Sequence, residues 1–325
     1  MATVFVTGGS GFLGRNLLPH LRERGHAVKA LARSDAAARA VSDSGAEPVR
    51  GDLDDPSLLV DALRGCDAVI HAAAKVEDWG RWEDFVRLNV DGTKSLLEAA
   101  RAGGVRRFVH VSTESVLLDG NPLRGVDESH PRPAKTMGMY GRSKALAEEA
   151  VIAANGPGLE TVVVRPRFIW GKGDTSLLPE IVLAAKSGQL LWIGGAKELT
   201  STCHVRNVCE GIVCAWERGT PGAIYFLTDG APIAYRELLS ALLRTQGIEP
   251  PTRTVLRPVA HAMSIATDLL WRVLRKRTRP PLPHATFHLL ADEMTVSDAR
   301  ARREIGYVGA ITREQGLREM TAPAP

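Results

Sequence analysis

The chain has 325 residues, 44% of them apolar, with a net charge of +4 and a pI near 9.0. That length suits one large α/β domain with a smaller companion, and the apolar content excludes a disordered or fibrous chain. Acidic residues interleave with the basic ones, which excludes the basic stripe of a nucleic-acid binder, and no uncharged run reaches the ~18 residues of a membrane span. Strands are predicted over residues 3–6, 28–32, 47–51, 68–72, 107–112 and 161–165, with helices over 12–24, 57–64, 83–102 and 138–154. This alternation implies a parallel, doubly wound Rossmann-type sheet with sites at the carboxyl ends of its strands.

The rhythm changes near Arg167, where helical pieces (178–187, 207–217, 235–245) mix with short strands. We therefore expect a nucleotide-binding domain over 1–166. A smaller mixed α/β region over 167–325 would bind substrate, with some segments returning to the first core. Asn207, with Glu210 three residues on, reads as a helix cap and its reciprocal partner. Residues 258–275 carry a helical stripe of Val259, Met263, Ala266, Leu270 and Val273, then the basic run RKRTRPPLP. One reading is a packed helix followed by a solvated loop. The other is a basic amphipathic element resting on a membrane surface or lining an apolar pocket. Cys66, Cys203, Cys209 and Cys214 form no CxxC pair and read as reduced, packed thiols. No leader-like segment precedes the first strand, so a cytoplasmic location is expected, and no metal is expected.

The most informative segment is TGGSGFLG, residues 7–14, between the first strand and the first helix. Glycines let a backbone turn tightly against a pyrophosphate, whose charge meets the helix N-terminus. Gly8, Ser10, Gly11, Phe12, Leu13 and Gly14 are thus expected at the cofactor. The spacing is GxxGxxG, not GxGxxG, and points to the short-chain dehydrogenases. At the ribose position the second strand ends Leu31-Ala32-Arg33-Ser34, without the carboxylate that NAD binders place there. Arg33 suits a 2′-phosphate, so NADP(H) is expected over NAD(H). Asp35 comes one place late and suits a helix cap. Asp52 and Leu53 end the third strand and are expected at the adenine, though Asp52 also suits a cap near Pro56. Ala72, Ala73 and Ala74 end the fourth with small side chains, after His71, which reads as a packed strand histidine.

Tyr140 and Lys144 form a YxxxK pair at a helix start, one turn apart on one face. A free phenol titrates near ~10, and a nearby ammonium or a positive nicotinamide would lower that value. Tyr140 would then give a proton to a ketone or take one from an alcohol. Ser112 and Thr113 compete to hold the substrate oxygen, with strand-end bonding as the plain alternative. Asn89 suits a structural bond or a proton relay. Trp79, Trp82 and Trp170 are expected above the nicotinamide, where their faces suit a hydrophobic substrate or simple packing. Glu114 is a further candidate at the substrate.

TGGSGFLG, GDL, HAAA, NVDGT, VSTESV and YGRSK occur in the order and spacing of the extended short-chain dehydrogenases/reductases, which the chain resembles over nearly its whole length. Within that superfamily it resembles 3β-hydroxysteroid dehydrogenase-like proteins and 2-alkyl-3-oxoalkanoate reductases, on AAKVEDWGRW, RPRFIWGKGD and RARREIGYVG. The resemblance implies Thr113 as the catalytic hydroxyl and Tyr140 with Lys144 as the proton-transfer pair that also touches the cofactor. It further implies Pro166 and Arg167 at the nicotinamide, a small hydrophobic ketone or alcohol as substrate, and a homodimer. Nucleotide-sugar epimerases and dehydratases share the same pair, and Arg167, Lys172 and Arg206 could supply charge for a diphosphate. A non-catalytic NADP-sensing regulator is the remaining reading; such proteins can keep the glycine turn and lose the tyrosine pair. Two positions depart from the pattern: Arg33 follows Ala32 where an acid is usual, which fits a reductase, and Arg206 stands in HVRN where HVDN is common.

Overall fold

The computed structural model describes residues 1–276 and 278–321; Arg277 of the basic run lies outside them, as do residues 322–325. The first half runs β1 (Thr3–Thr7), α1 (Phe12–Glu23), β2 (Ala27–Ala32), α2 (Asp35–Asp43), β3 (Glu47–Arg50), α3 (Pro56–Leu63) and β4 (Ala68–His71). It continues with α4 (Trp82–Phe85), α5 (Gly92–Ala102), β5 (Arg107–Val111), β6 (Leu123–Val126), α6 (Met139–Ala153) and β7 (Glu160–Pro166). The second half opens with β8 (Ile169–Trp170), α7 (Leu178–Lys186), β9 (Trp192–Ile193), β10 (Leu199–Thr200), β11 (Cys203–His204), α8 (Val205–Arg218) and β12 (Ile224–Leu227). It ends with β13 (Ile233–Ala234), α9 (Tyr235–Thr245), β14 (Thr254–Val255), α10 (Arg257–Val273), α11 (His284–Ala291), β15 (Met294–Val296), α12 (Ala299–Ile305) and α13 (Arg313–Thr321).

Seven parallel strands form the main sheet in the order β12-β7-β5-β4-β1-β2-β3. Its central strands are buried on both faces, which is why β1 reads as the unbroken run Val4-Phe5-Val6. Leu17, Leu18 and Leu21 of α1 share a core with Val208 and Ile212 of α8. Leu59 and Leu63 of α3 share a second core with Leu96 of α5 and Val151 of α6. Helix α8 and strand β12 thus complete the large sheet from the second half of the chain. A four-stranded sheet, β13-β10-β15-β6, and an apolar cluster around Trp170, Trp192 and Leu239 build the smaller lobe. All four cysteines are free and buried. Among the described residues no helix is long and apolar enough to cross a membrane.

Three local expectations need correction. The helix expected over 83–102 is broken: α4 passes into a wider π-helical turn, Val86–Asp91, before α5. Such turns re-aim side chains, and here the turn carries Asn89. Helix α8 begins two residues before Asn207, capped by the His204 side chain, which accepts from Arg206 N at 3.3 Å. Asn207 instead bridges Asp229, at 2.7 Å, and the Ile311 backbone, at 2.9 Å on both its carbonyl and its N–H. The stripe on α10 does not pack: all five of its residues are exposed. Periodicity defines a helix face but not the direction in which that face points.

Candidate active site

The glycine turn packs against the end of β4. Gly8 adopts φ +77°, and a Cβ there would lie 2.8 Å from Ala73 N. A Cβ on Gly14 would lie 2.1 Å from Gly8 O, so the turn closes only without side chains at these positions. Thr7 ties the same corner, its hydroxyl accepting from Ala73 N at 3.2 Å and bonding His71 Nδ1 at 2.7 Å. His71 is buried, with Nε2 2.9 Å from the Thr93 hydroxyl. Gly11 is exposed at the start of α1, whose first turn carries no acid and no side-chain cap. An open, uncapped helix N-terminus behind a glycine turn fits a dinucleotide pyrophosphate. Ser10 and Leu13 are half-buried there, and Phe12 is buried.

Arg33 is exposed just past β2. The next residue, Ser34, caps α2 by accepting from Ala37 N at 3.2 Å, so Asp35 is not the cap. Asp35 pairs with Arg50 at the end of β3, 3.1 Å away. Asp52 accepts from Leu53 N at 2.8 Å, and it is Asp55 that caps α3. Leu53 is buried against Gly92. Ala72, Ala73 and Ala74 leave the end of β4 half-buried. Pro166 ends β7 inside the sheet.

At the end of β5, Thr113 and Ser112 part company. Ser112 is buried and donates to Glu148 at 2.7 Å, within a structural pair of Glu148 and Arg165. Its hydroxyl is engaged away from Tyr140. Thr113 donates to Glu114 at 2.8 Å and accepts from Ser115 N at 3.2 Å, and its hydroxyl lies near enough to the Tyr140 phenol to draw the phenol's pKa down. Lys144 is buried and donates to Val111 O at 2.8 Å and to His110 Nε2 at 3.0 Å. Asn89 is locked by the Lys75 backbone on both sides, at 2.7 and 3.0 Å, and by Ser143 at 2.9 Å. It fastens the loop after β4 to α6.

The expected lowering of the Tyr140 pKa is reversed. Burial pushes the phenol up, the Glu114 carboxylate pushes it further, and Thr113 only partly opposes them. The Lys144 ammonium is turned to the strand, and burial lowers its pKa to about 7. His110 is held well below the usual histidine range by burial, then by Lys144.

Three further expectations are corrected by packing. Trp170 is buried in the smaller lobe, its indole donating to Asp229 at 2.7 Å, so it does not face a substrate. Glu114 is buried and pairs with Arg167, leaving no free carboxylate for a substrate. The Arg167 guanidinium is itself buried, donating also to Thr200 and Met294 O at 3.1 Å and to Leu289 O at 3.3 Å. Trp82 is half-buried beneath the Arg142 guanidinium at 4.5 Å, two residues beyond Tyr140. Trp79 is half-buried and donates to Lys276 O at 3.3 Å.

Sequence reasoning missed Asp78. It accepts both Arg279 nitrogens at 2.7 Å and the Thr286 hydroxyl at 2.5 Å, fastening the loop after β4 to the start of α11. No spacing rule links residues about two hundred places apart. His110 and Glu148 were also missed. Each lay one helix face or one strand pair from a singled-out residue.

A model of the 3-beta hydroxysteroid dehydrogenase/isomerase family matches residues 5–258. The 4-hydroxy-2-methyl-3-oxo-4-farnesyl-3,4-dihydroquinoline-1-oxide ketoreductase of Stigmatella aurantiaca is 48% identical, over 99% of this chain and 96% of that one. The 2-alkyl-3-oxoalkanoate reductase of Stenotrophomonas maltophilia is 36% identical, over 98% of each. Among solved structures, that of gox2253 superposes with a TM-score of 0.80 at 27% identity, over 98% of this chain and 96% of that one. The dTDP-glucose 4,6-dehydratase DesIV of Streptomyces venezuelae, with NAD bound, gives 0.73 at 25% identity, over 98% and 95%.

Proposed function

Because the chain belongs to the 3-beta hydroxysteroid dehydrogenase/isomerase family of extended short-chain dehydrogenases, and so to the NAD(P)-dependent oxidoreductases, we propose that it is an NADP(H)-dependent ketoreductase. Its substrate is a lipophilic ketone, of the 2-alkyl-3-oxoalkanoate or 3-ketosteroid type or an alkylated ring ketone. The observation that carries this reading is that Thr113, at the end of β5, acts on the Tyr140 phenol, one helical turn before the buried Lys144. Gly8, Gly11 and Gly14 would hold the pyrophosphate, Arg33 the 2′-phosphate, and Asp52 with Leu53 the adenine.

The carbonyl carbon would take a hydride from NADPH held at this site. Thr113 turns its hydroxyl from Glu114 to the carbonyl oxygen and orients it. Tyr140 gives that oxygen its phenolic proton. The phenol holds its proton at neutral pH, the form an acid needs, and its raised pKa makes it a weaker acid until the bound cofactor acts on it. Lys144, now held by Val111 O and His110, would turn its ammonium to the nicotinamide ribose. Ala72–Ala74, small and half-buried, would leave room for the cofactor, and Pro166 at the end of β7 would bound it.

Support for a lipophilic substrate comes from Trp82, which packs on Arg142 near the start of α6, and from the farnesylated and alkylated compounds named for two relatives. A nucleotide-sugar substrate fits less well. Arg167 is spent on Glu114, and Arg206 pairs with Glu319 at the surface. The test follows NADPH and NADH oxidation with a 2-alkyl-3-oxo acid, a 3-ketosteroid, an aryl ketone and a nucleotide 4-keto sugar. Turnover of a lipophilic ketone with NADPH is expected. Tyr140→Phe should keep cofactor binding and lose at least about a hundredfold in kcat. Turnover of the sugar alone would overturn the reading.

A further inference from the structure

Three histidines meet where α10 crosses α11. His284 and His288 stand four residues apart on α11 and so share a face. His261 reaches them from α10. One ring nitrogen from each lies within 4.8 Å of the other two. His261 and His284 are half-buried and His288 is buried. Their rings crowd together: the centroids of His284 and His288 are 4.8 Å apart, and those of His261 and His284 are 5.3 Å apart.

The surroundings fix where the lone pairs of these rings lie. The Ser264 hydroxyl donates its one proton to His261 O at 2.8 Å, so it accepts from His284 Nδ1, 2.9 Å away. The Asp292 carboxylate accepts from His288 Nδ1 at 2.6 Å. Each of these two rings therefore carries a proton on Nδ1, which leaves Nε2 with a lone pair when the ring is neutral. Among the described residues nothing hydrogen-bonds Nε2 of either ring. Burial and the two neighbouring histidines lower the His284 pKa, which keeps that ring neutral and able to ligate at pH 7. Asp292 is itself anchored by Arg257, and an anchored carboxylate behind a histidine is the outer support that metal-binding histidines ordinarily have. The other nearby acid, Asp268, is engaged by His284 N at 3.2 Å and by Arg272 at 3.7 Å. Three imidazoles with no free carboxylate among them suit a zinc-class ion and not magnesium or calcium.

We propose that His261, His284 and His288 bind a divalent transition-metal ion of the zinc class, with water in the fourth position, and that the ion pins α10 to α11. Zinc–nitrogen bonds of about 2.0–2.1 Å set ligand nitrogens about 3.3 Å apart in a tetrahedron. Side-chain rotation closing a gap of no more than about 1.5 Å would thus complete the site. Helix α10 has use for such a pin, because only Ala260 and Ser264 of it are buried and apolar burial holds it weakly. Helix α11 in turn abuts the catalytic helix: a Cβ on Gly138, two residues before Tyr140, would lie 3.0 Å from Ala285 Cβ. The ion would order this wall without touching the reacting atoms, and its binding does not depend on the ketoreductase reading. No short ligand spacing announces a set split between two helices, which is why the sequence led us to expect no metal.

The test is calorimetric titration of the full chain, free of any histidine tag and stripped with a chelator, with zinc chloride. One ion per chain should bind with a dissociation constant of about a micromolar or tighter. It should raise the melting temperature by several degrees, and EDTA should reverse the rise. Magnesium chloride should neither bind there nor stabilise. His261→Gln and His284→Gln should each weaken zinc binding at least about tenfold, and Asp292→Asn should weaken it about ten- to a hundredfold through His288. His130→Gln, outside the cluster, should bind as the native protein does. Circular dichroism checks the fold of each variant, and cobalt chloride gives a readout that needs no variant: the visible absorption of a tetrahedral, nitrogen-ligated ion. The site is overturned if the native protein takes up no stoichiometric zinc, or if bound cobalt shows only an octahedral spectrum. It is also overturned if folded His261→Gln and His284→Gln bind zinc as tightly as the native protein, or if His130→Gln abolishes binding, since the zinc would then sit elsewhere.

Discussion

The Arg167 guanidinium meets the Glu114 carboxylate inside the protein, and Glu114 in turn accepts the hydroxyl proton of Thr113. One carboxylate thereby links the end of β5 to the smaller lobe, where Arg167 also bonds Thr200, Leu289 O and Met294 O.

Glu114→Gln should act on both partners. It leaves a buried guanidinium without its counter-charge, a change that costs on the order of 3 kcal/mol, and calorimetry reads the loss. It also removes the negative charge that raises the Tyr140 pKa. The phenol should then ionise at lower pH, so the rise of alcohol-oxidation kcat/KM with pH should move to lower pH. A profile that stays in place would mean that Glu114 does not act on Tyr140.

Lys144 should leave a signature in stability. Its folded pKa is about 7 because of burial, against about 10.4 for an unfolded lysine. Between those values the unfolded chain binds the extra proton, so this residue makes stability rise with pH across that window and exacts its full penalty below it. Other groups titrate there too, the buried thiols with the opposite sign. The stability difference between native protein and Lys144→Met isolates the lysine. It should change by up to about 1.4 kcal/mol per pH unit from about 7 to about 10.4. A flat difference would place the Lys144 pKa near that of an ordinary lysine.

Arg33 should discriminate between the cofactors. A charge-assisted contact to a 2′-phosphate is worth roughly 1.5–3 kcal/mol, so Arg33→Ala should raise the KM for NADPH by about ten- to a hundredfold. The KM for NADH should barely move. Equal effects on both would show that Arg33 serves the fold or the adenine instead of the phosphate.

What the sequence disclosed and what it hid divide along physical lines. The glycine turn was legible because its glycines, strand and helix are consecutive, and local chemistry alone requires them. Tyr140 and Lys144 were legible as a helical i, i+4 pair. Trp170 was not, because its direction is set by Asp229, far along the chain. The burial of Glu114 depends on Arg167 in the same way. The α10 stripe was legible as a face, but its outward turn follows from His284 and Phe287 of α11, which satisfy the polar side. Ser112 and Thr113 stand side by side in sequence, and only the arrival of Glu148 on α6 separates their roles.

The last two glycines of the turn, Gly11 and Gly14, offer a final contrast, because they should fail differently. A Cβ on Gly14 would collide with Gly8 O at 2.1 Å and Gly9 Cα at 2.5 Å, all backbone that cannot yield. Gly14→Ala must therefore separate α1 from the turn, and it should lower the melting temperature of the cofactor-free protein by several degrees. At Gly11 the nearest atom to a new Cβ is Gly8 O at 3.4 Å, an ordinary contact, and its φ of −78° suits any residue. Gly11→Ala should melt within about a degree of the native protein. The added methyl would instead stand on the exposed side of the turn, where a pyrophosphate must approach the helix N-terminus. Dinucleotide binding by Gly11→Ala, read from fluorescence titration with NADPH, should weaken at least about tenfold. If Gly11→Ala bound NADPH as the native protein does, the pyrophosphate would not sit against this glycine.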